Sequence, residues 1–545
     1  MNKLIYTLIA ILVYVTQSFS IGQEWASRFN GTGNSLDWSY AIGMDPLGNV
    51  IVTGYSTGAG TGKDYKTIKY NTAGTILWET TFNGPINGGD YSNALAIDEN
   101  GNVYVTGRVD YGTTGSDIVT IKYNAAGVQQ WMARYNGPDG GLDEGKTIHL
   151  TSDGSVLVGG KTTGLTSGLD FVTIKYNPDG TEAWSKVYNG LGNNEDYVTS
   201  IDIDNSGNVY STGNSIGAGS GQDIVLIKYN SSGTEQWQKR YNGAGNGGDA
   251  VVSVKVDGED NIIAGGYTDM GTGQRQNFLT LKYDPSGNLI WEKQFNGSSN
   301  STDLATAMTV DASGNIYLTG LTTQLFGTRL DSNYGTIKYD PSGNLQWFAY
   351  YDGPNNSVDV SRSIFVDINM NVYISGSSKG AGSDDYATIK YSPSGVQQWV
   401  MAYNGTGNSN DYSSSVVADN AGSAYVTGRS FGSGSDYDYA TIKYGNMVGV
   451  EPVNNEIADR FSLSQNYPNP FNPNTKIRFS VPEQQNVTLK VFDALGREVN
   501  SISFGYLSAA VYVYNFDGSS FTSGIYFYRL VTDKFTETKK MILIK

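Results

Sequence analysis

The sequence predicts an all-β protein, in which an eight-bladed β-propeller precedes a small immunoglobulin-like β-sandwich. Its 545 residues include 69 glycines and 39 tyrosines, a composition that favours strands and turns. Eight tryptophans recur every 52–56 residues, a period typical of propeller blades. They are Trp25, Trp78, Trp131, Trp184, Trp237, Trp291, Trp347 and Trp399. After residue 446 this rhythm stops, which indicates a second domain.

Within one period, four strand-like segments alternate with turn residues. In the second copy they are residues 90–98, 102–107, 117–123 and 129–137. Four antiparallel strands per repeat form a propeller blade. The first strand has a small residue four positions after its leading aspartate in every copy, and we expect this strand to be innermost, beside the central channel. These small residues are Ala41, Ala94, Thr147, Ser200, Ser253, Ala307, Ser363 and Ser415.

The fourth strand carries the repeated tryptophan, followed four residues later by another aromatic residue, as in Trp131 and Tyr135. An even offset places both rings on one face of the strand. We expect that face to pack against the neighbouring blade, with a sugar-stacking surface as the alternative.

The copy count predicts how the ring closes. The last copy ends at residues 439–446 without a tryptophan strand, whereas residues 24–31 form a tryptophan strand that precedes the first complete copy. An N-terminal strand that completes the last blade leaves no unpaired edge. The prediction is therefore eight blades within residues 21–446.

The repeat itself resembles a known family. The second copy, "DYSNALAIDENGNVYVTGR" followed by "DIVTIKYNAAGVQQW", closely resembles the bacterial SBBP β-propeller repeat, and the resemblance extends over residues 24–446. The family name implies seven blades, whereas the copies number eight. The resemblance implies no catalytic residues.

The N-terminus resembles an export signal. Lys3 precedes an apolar run at residues 4–15, and cleavage between Ser20 and Ile21 would follow small residues. A largely apolar run of twelve residues is too short to cross a membrane but suits a secretory signal peptide. We therefore expect residues 1–20 to be a signal peptide and the mature chain to have no transmembrane span.

A different module follows a predicted linker at residues 447–460. Residues 461–545 contain alternating apolar segments typical of a small β-sandwich. They closely resemble the type A C-terminal sorting domain of the type IX secretion system through "NYPNPFNP", "DALGREV", "SGIYFYRL" and "KKMILIK". The motif residues are Asn466, Pro468, Asn469, Pro470, Phe471, Asn472, Pro473, Gly496, Arg497, Gly524 and Lys545.

This second resemblance implies a Gram-negative cell and a type IX translocon as partner. It also implies that the protein is secreted or held at the outer cell surface, where lipopolysaccharide is a possible attachment point. The alternative is an ordinary immunoglobulin-like adhesion module at the end of the chain.

Composition excludes several classes of function. The net charge of −16 argues against a nucleic-acid partner. The chain has no cysteine, so thiol catalysis, disulfides and cysteine-ligated metals are excluded. His149 is the sole histidine, lies in an apolar strand pattern and is expected to be packed. We expect no cofactor and assign no metal ligand.

Two acidic positions and one lysine recur around the ring. We expect the leading aspartates to bond backbone N–H groups, with a Ca²⁺ site as the alternative. They are Asp37, Asp90, Asp143, Asp196, Asp249, Asp303, Asp359 and Asp411. A second aspartate, such as Asp45, opens a tight turn. The lysine of each "IKY" or "LKY" segment, such as Lys69, is expected to pair with an aspartate.

Residues present in every copy are best interpreted as scaffold, so function is expected where the copies differ. The hypothesis is an exported, non-catalytic binding or adhesion propeller that recognises an extracellular glycan or protein. Alternatives are an extracellular polysaccharide hydrolase or lyase and a purely structural surface component. We expect Trp38, Tyr91 and Tyr412 to lie side by side in consecutive blades, with Phe326 and Arg329 in the longest loop of the sixth blade.

Overall fold

The computed structural model describes residues 21–545, except 272–274, 299, 327–328, 356, 381, 447–449, 454–457, 484, 508 and 520. The chain divides into two compact units, with Trp25–Lys443 in one and Tyr444–Lys545, together with residues 21–24, in the other. The signal-peptide prediction for residues 1–20 lies outside the described residues and stays a prediction. No helix among the described residues is long and apolar enough to cross a membrane.

The first unit is built from four-stranded antiparallel sheets, in which strands consecutive in sequence are neighbours. Blades 1 and 2 contain β2 (Trp38–Met44), β3 (Val50–Gly58), β4 (Gly62–Tyr70), β5 (Ile76–Phe82), β6 (Tyr91–Ile97), β7 (Val103–Asp110), β8 (Ser116–Tyr123) and β9 (Gln129–Tyr135). A short 3-10 helix, Gly112–Thr114, connects β7 to β8. Blades 3 and 4 contain β10 (Glu144–Leu150), β11 (Val156–Thr163), β12 (Leu169–Tyr176), β13 (Glu182–Tyr188), β14 (Asp196–Ile203), β15 (Val209–Ile216), β16 (Gln222–Tyr229) and β17 (Glu235–Tyr241).

The second half of the ring repeats the same order. Blades 5 and 6 contain β18 (Ala250–Val256), β19 (Ile262–Asp269), β20 (Gln276–Tyr283), β21 (Leu289–Phe295), β22 (Asp303–Val310), β23 (Ile316–Phe326), β24 (Arg329–Tyr339) and β25 (Leu345–Tyr351). Blade 7 contains β26 (Val360–Val366), β27 (Val372–Lys379), β28 (Asp384–Tyr391) and β29 (Gln397–Tyr403). Blade 8 contains β30 (Asp411–Ala418), β31 (Ala424–Phe431), β32 (Tyr437–Asn446) and β1 (Ile21–Phe29).

Blade 8 confirms the predicted closure, because β1 lies beside β32 as its fourth strand. Arg28 of β1 forms an ion pair with Asp438 at 2.9 Å and donates a hydrogen bond to the Ser430 carbonyl at 2.8 Å. The Trp25 ring contacts Tyr70 of blade 1 and Tyr425 of blade 8, with centroids 5.9 and 6.1 Å away. The ring therefore has eight blades.

The first strands are innermost, as predicted. Each one contacts the first strands of both neighbouring blades, so that β2, β6, β10, β14, β18, β22, β26 and β30 form a closed circle. The second and third strands are the most buried, for example β3 and β4. A small residue on each first strand lets eight backbones meet around one axis.

The repeated tryptophans lie between blades, as predicted. The Trp131 ring contacts Tyr104 of its own blade and Tyr176 of the next, at 6.0 and 6.5 Å between centroids. Its indole N–H donates to the Pro178 carbonyl at 3.0 Å. Gly180 follows with a φ of +87°, and a Cβ there would approach the Trp131 ring to 2.6 Å. Packing and turn geometry together require glycine.

The leading aspartates have the predicted structural role. Asp90 is fully buried; one carboxylate oxygen accepts the Gly84 N–H at 2.5 Å and the other accepts the Asp110 N–H at 2.9 Å. All eight leading aspartates accept the corresponding pair of backbone bonds. Burial raises the pKa of Asp90 to about 6, so the carboxylate is ionised at neutral pH. Each aspartate connects the fourth strand of one blade to the second strand of the next.

Replacing Asp90 with asparagine tests this connection. The amide nitrogen would oppose one backbone N–H and leave a buried donor unsatisfied, which costs about 1–3 kcal/mol. We expect the free energy of unfolding, measured by urea denaturation, to fall by that amount in Asp90→Asn. Asp139→Asn, at an exposed loop position, is the matched control and should change stability by less than about 0.5 kcal/mol. Equal stability of both variants would contradict the assignment.

The recurring lysine pairs with an aspartate, as predicted, in blades 1, 4 and 5. Lys69 pairs with Asp45 at 2.8 Å and donates to the Ala125 carbonyl of the next blade at 3.2 Å. The same lysine–aspartate pair occurs in blades 4 and 5. Asp45 also accepts the Leu47 and Asn49 N–H groups of its turn. Among the described residues, no cluster of acidic side chains or histidine could hold a metal ion.

The second unit is a β-sandwich of two four-stranded sheets with an apolar core that includes Phe471, Phe479 and Tyr528. Its strands are β33 (Val450–Pro452), β34 (Ser462–Leu463), β35 (Asn474–Val481), β36 (Gln485–Phe492), β37 (Glu498–Leu507), β38 (Ala510–Asp517), β39 (Gly524–Val531) and β40 (Thr536–Leu543). One sheet has the order β33-β38-β35-β34 and the other contains β37-β36-β39-β40. The segment expected to be a linker, residues 447–460, contains strand β33. Because the backbone of β33 pairs with β38, this strand belongs to the sandwich.

Candidate functional site at the mouth of the central channel

A β-bulge interrupts the first strand of every blade at the third residue after the leading aspartate. In blade 1, Ser39 pairs with Gly54 and Ala41 with Thr53, which leaves Tyr40 unpaired. A bulge redirects the side chain of the extra residue. The bulged residues are Tyr40, Asn93, Lys146, Thr199, Val252, Thr306, Arg362 and Ser414. They vary strongly in chemistry, although the scaffold positions around them repeat.

Five of these bulged residues help to line one cavity of about 540 Å³. Its lining comes from blades 7, 8, 1, 2 and 3, and consists of Trp38, Tyr40, Tyr91, Asn93, Arg108, Glu144, Lys146, Arg362 and Ser414. Because first strands surround the axis, a cavity shared by five of them lies at a mouth of the channel. Trp38, Tyr91 and Glu144 directly follow leading aspartates, so this mouth is the end that carries the long, glycine-rich loops.

Two of the predicted aromatic residues line this cavity. The Trp38 indole N–H donates to the Ser414 hydroxyl at 2.9 Å, and its ring lies 4.9 Å from the Tyr40 ring. Tyr91 contacts Tyr55, with 4.9 Å between centroids. Both Trp38 and Tyr91 are half-buried, so each ring is held in place and still exposes part of its surface.

Arginine side chains on the second strands of blades 8 and 2 contact the faces of both rings. The Arg429 guanidinium lies 3.7 Å from the centre of the Trp38 ring, and that of Arg108 lies 4.4 Å from the Tyr91 ring. Cation–π contacts of this kind contribute roughly 0.5–1 kcal/mol at exposed sites and more when desolvated. The rings are therefore preorganised before a ligand arrives.

The other predicted site residues lie elsewhere. Tyr412 is half-buried and adjoins Arg429, but its hydroxyl points to Asp384 at 3.4 Å and it does not line the cavity. Phe326 and Arg329 pair at the end of the β23–β24 hairpin, and their side chains lie outside the described part of the chain.

Basic groups outnumber acidic ones in the cavity lining, with three against one. Glu144 is ion-paired with Lys146 at 2.8 Å and lies 3.9 Å from Lys161. Burial tends to raise the pKa of Glu144, but Lys146 and Arg108 outweigh it and hold the pKa below its usual value. Burial raises the pKa of the Tyr40 phenol, which stays protonated at neutral pH.

The bulged position was missed by the sequence analysis, which considered the residues one and four places after each leading aspartate. The available signal was variation at the third place between two constant ones. His149 lies elsewhere, half-buried beside Asp202 at 3.6 Å, and burial lowers its pKa.

The sorting-motif residues occupy specific positions in the second unit. Asn466 donates to the Pro468 carbonyl and the Thr475 hydroxyl, both at 3.1 Å. Phe471 is buried in the core, and its backbone bonds Ile542 and Ile544 near the C-terminus. The peptide bonds before Pro468 and Pro470 are cis.

The later motifs also have defined positions. Asp493 accepts the Arg497 N–H at 3.0 Å in a turn where Gly496 has a φ of +78°. Gly524 begins β39 and pairs with Leu543. The backbone N–H of Lys545 donates to the Ser523 hydroxyl at 2.9 Å. The motif "NYPNPFNP" is thus hydrogen-bonded to the C-terminal segment through the backbone of Phe471.

A family model described as a secretion system C-terminal sorting domain matches residues 465–545. The C-terminal domain is a type IX sorting domain. A second family model, the SBBP β-propeller repeat, matches residues 84–108, which form the loop before blade 2 and most of its first two strands. The sorting domain marks the protein as secreted or anchored at the cell surface and implies interaction with the type IX secretion system. Both resemblances expected from the sequence are confirmed.

Solved structures give weaker similarities. PorZ, a surface component of the type IX secretion system of Porphyromonas gingivalis, is 14% identical with a TM-score of 0.40, over 93% of this chain and 75% of PorZ. The periplasmic gluconolactonase PpgL of Pseudomonas aeruginosa is 13% identical with a TM-score of 0.42, over 67% and 95% of the chains. Polysaccharide lyase Uly1 is 14% identical with a TM-score of 0.38, over 79% and 99%. Structural similarities with TM-scores below 0.5 give no information about the activity of this protein. No curated protein matches the sequence.

Proposed function

We propose that this exported propeller is a non-catalytic binding protein that holds an extracellular saccharide at the mouth of its channel, through Trp38 and Tyr91. One observation carries the proposal: the copies agree at scaffold positions and differ where they line the cavity. Cavities with aromatic walls and a few fixed polar groups are typical ligand sites.

The aromatic rings suit sugar binding. A sugar ring has apolar C–H faces that pack on an aromatic face, while its hydroxyls need polar partners at the edge. Around Trp38 and Tyr91 the cavity offers the amide oxygen of Asn93, whose nitrogen already donates to Glu144 and Gly145, and the hydroxyl of Ser414, which already accepts the Trp38 indole N–H. Because Arg429 and Arg108 already hold the two rings, little side-chain entropy is lost on binding.

The cavity is poorly equipped for hydrolysis. Most glycosidases use a pair of carboxyl groups that flank the scissile bond. Among the described lining residues Glu144 is the single carboxylate, and Lys146 neutralises it. A protonated Tyr40 phenol is also a poor general base for a lyase. We therefore favour binding over the alternative of a polysaccharide hydrolase or lyase.

Substituting both aromatic residues tests the site. We expect Trp38→Ala combined with Tyr91→Ala to lower saccharide affinity at least about tenfold, since stacking on each ring contributes roughly 1 kcal/mol. Affinity is measured by titration calorimetry with the strongest ligand from a glycan array, and folding by thermal denaturation.

Tyr412→Ala is the matched control, because it removes a neighbouring ring that does not line the cavity. Tyr91→Ala alone provides a milder variant if the double variant unfolds. Unchanged affinity in a folded Tyr91→Ala variant, or an equal loss in Tyr412→Ala, would contradict the proposed site. Release of reducing ends during incubation would favour the enzymatic alternative.

A further inference from the structure

We infer that the saccharide bound at the mouth is anionic and carries carboxylate or sulfate groups. This inference rests on the proposed function and adds the chemical class of the ligand. It depends on the arginines around the cavity: Arg108 and Arg362 line it, from blades 2 and 7, and Arg429 of blade 8 contacts the Trp38 ring beside it.

The mouth has the opposite charge to the rest of the propeller. Residues 1–450 contain 43 acidic and 26 basic side chains. In the cavity lining, three basic residues accompany one acidic residue, and Lys146 already pairs with that residue, Glu144. A local excess of positive charge on an acidic protein attracts a small or flexible anion to that place.

The three guanidinium groups are not paired with an acidic group at short range. Within the described part of the chain, the side chains of Arg108, Arg362 and Arg429 form neither an ion pair nor a hydrogen bond, although Arg108 acts electrostatically on Glu144. The Nε atoms of Arg108 and Arg429 are buried without a hydrogen-bond partner. At Arg108, which lines the cavity, the guanidinium therefore keeps donors that no protein acceptor occupies.

The hydrogen-bonding geometry of arginine indicates which anionic groups the cavity would bind. The planar fork of an arginine donates two parallel N–H bonds to a carboxylate or sulfate, and these charge-assisted bonds are stronger than neutral ones. Arg108 and Arg362 both border the cavity, so a saccharide that stacks on Tyr91 can place its acidic groups between them.

Other anions fit less well. A nucleic-acid duplex cannot enter a concave cavity of about 540 Å³, and the net negative charge of the propeller repels a polymer of such high charge density. An acidic peptide would leave the ring of Trp38 without a flat apolar partner. A uronate or sulfated oligosaccharide combines spaced charges with C–H faces for both rings.

The mature protein should be titrated with oligogalacturonate, oligoalginate and sulfated dextran, and with methyl-esterified oligogalacturonate and plain dextran as neutral counterparts. We expect at least one acidic saccharide to bind about tenfold or more tightly than its neutral counterpart. The affinity should also fall as salt is raised, because screening weakens exposed charge pairs.

Replacing the cavity arginines with glutamine shows whether they bind the acidic groups of the saccharide. Arg362→Gln should lower acidic-saccharide affinity and leave the weak neutral binding unchanged, because Arg429 and Arg108, not Arg362, hold Trp38 and Tyr91. Adding Arg108→Gln should bring the loss of acidic-saccharide affinity to at least about tenfold and should also weaken neutral binding, because it frees the Tyr91 ring. Lys186→Gln combined with Lys293→Gln removes the same number of charges from outer strands and is the matched control.

The outcomes separate the two proposals. Equal or tighter binding of the neutral saccharides overturns the anionic inference and leaves the proposed function intact. Equal loss in the control pair, or tighter binding of a single-stranded DNA oligomer or a polyglutamate peptide, also overturns it. If no saccharide of the panel or a glycan array binds, the proposed function itself fails.

Discussion

A chain that ends at residue 446 is expected to accumulate in the periplasm as a folded propeller and to be missing from the medium and the cell surface. The sorting domain spans residues 465–545, and the cut is placed earlier because β33 belongs to the sandwich. The sandwich has its own core around Phe479 and Tyr528, whereas the propeller cores lie between blades. Removing one unit should therefore leave the other folded.

Extracellular and periplasmic fractions are compared by immunoblotting, with the full-length chain as control and a periplasmic enzyme as lysis marker. Near-ultraviolet circular dichroism of the trapped protein reports whether the propeller is folded. Normal extracellular levels of the shortened chain would contradict the role of the sorting domain. An unfolded periplasmic product would contradict the independence of the two units.

Removing β1 should cause the largest loss of stability. The deletion of residues 21–29 takes away the ring contacts of Trp25 and leaves Asp438 without Arg28. Deleting a large aromatic residue costs up to about 3–5 kcal/mol, with the half-buried Trp25 at the lower end, and leaving the buried Asp438 carboxylate unpaired costs a similar amount. Because whole domains are stable by only about 5–15 kcal/mol, we expect loss of cooperative unfolding or aggregation through the exposed edge of β32.

Urea denaturation and light scattering measure both effects. A synthetic peptide of residues 21–31, added in excess, should restore the cooperative transition, and a scrambled peptide should not. A shortened protein that unfolds with an unchanged midpoint would show that β1 does not close the ring.

Much of the fold could be predicted because the chain repeats itself. One tryptophan strand missing at the end and one extra at the start are enough to predict β1 as the closing strand of blade 8. The role of Asp90 also follows from repetition, since one carboxylate in every blade indicates a bond that every blade makes.

The site was harder to predict, for physical reasons. A bulge such as that at Tyr40 is a register shift between two strands, and the alternation of residues in one strand does not reveal it. Tyr412 was expected beside Trp38, but Arg429 packs against both rings and only Trp38 reaches the cavity. Strand β33 has three residues, too few for a visible pattern.

If function resides at the channel mouth, where the copies differ, a bound saccharide should protect the strands that line the mouth. Hydrogen–deuterium exchange of the mature protein, with and without its tightest-binding saccharide, tests this claim directly. We predict slower exchange on binding in the first strands β2, β6 and β10, which carry Trp38, Tyr91 and Lys146. Slower exchange confined to the fourth strands, beside repeated tryptophans such as Trp131, would contradict it.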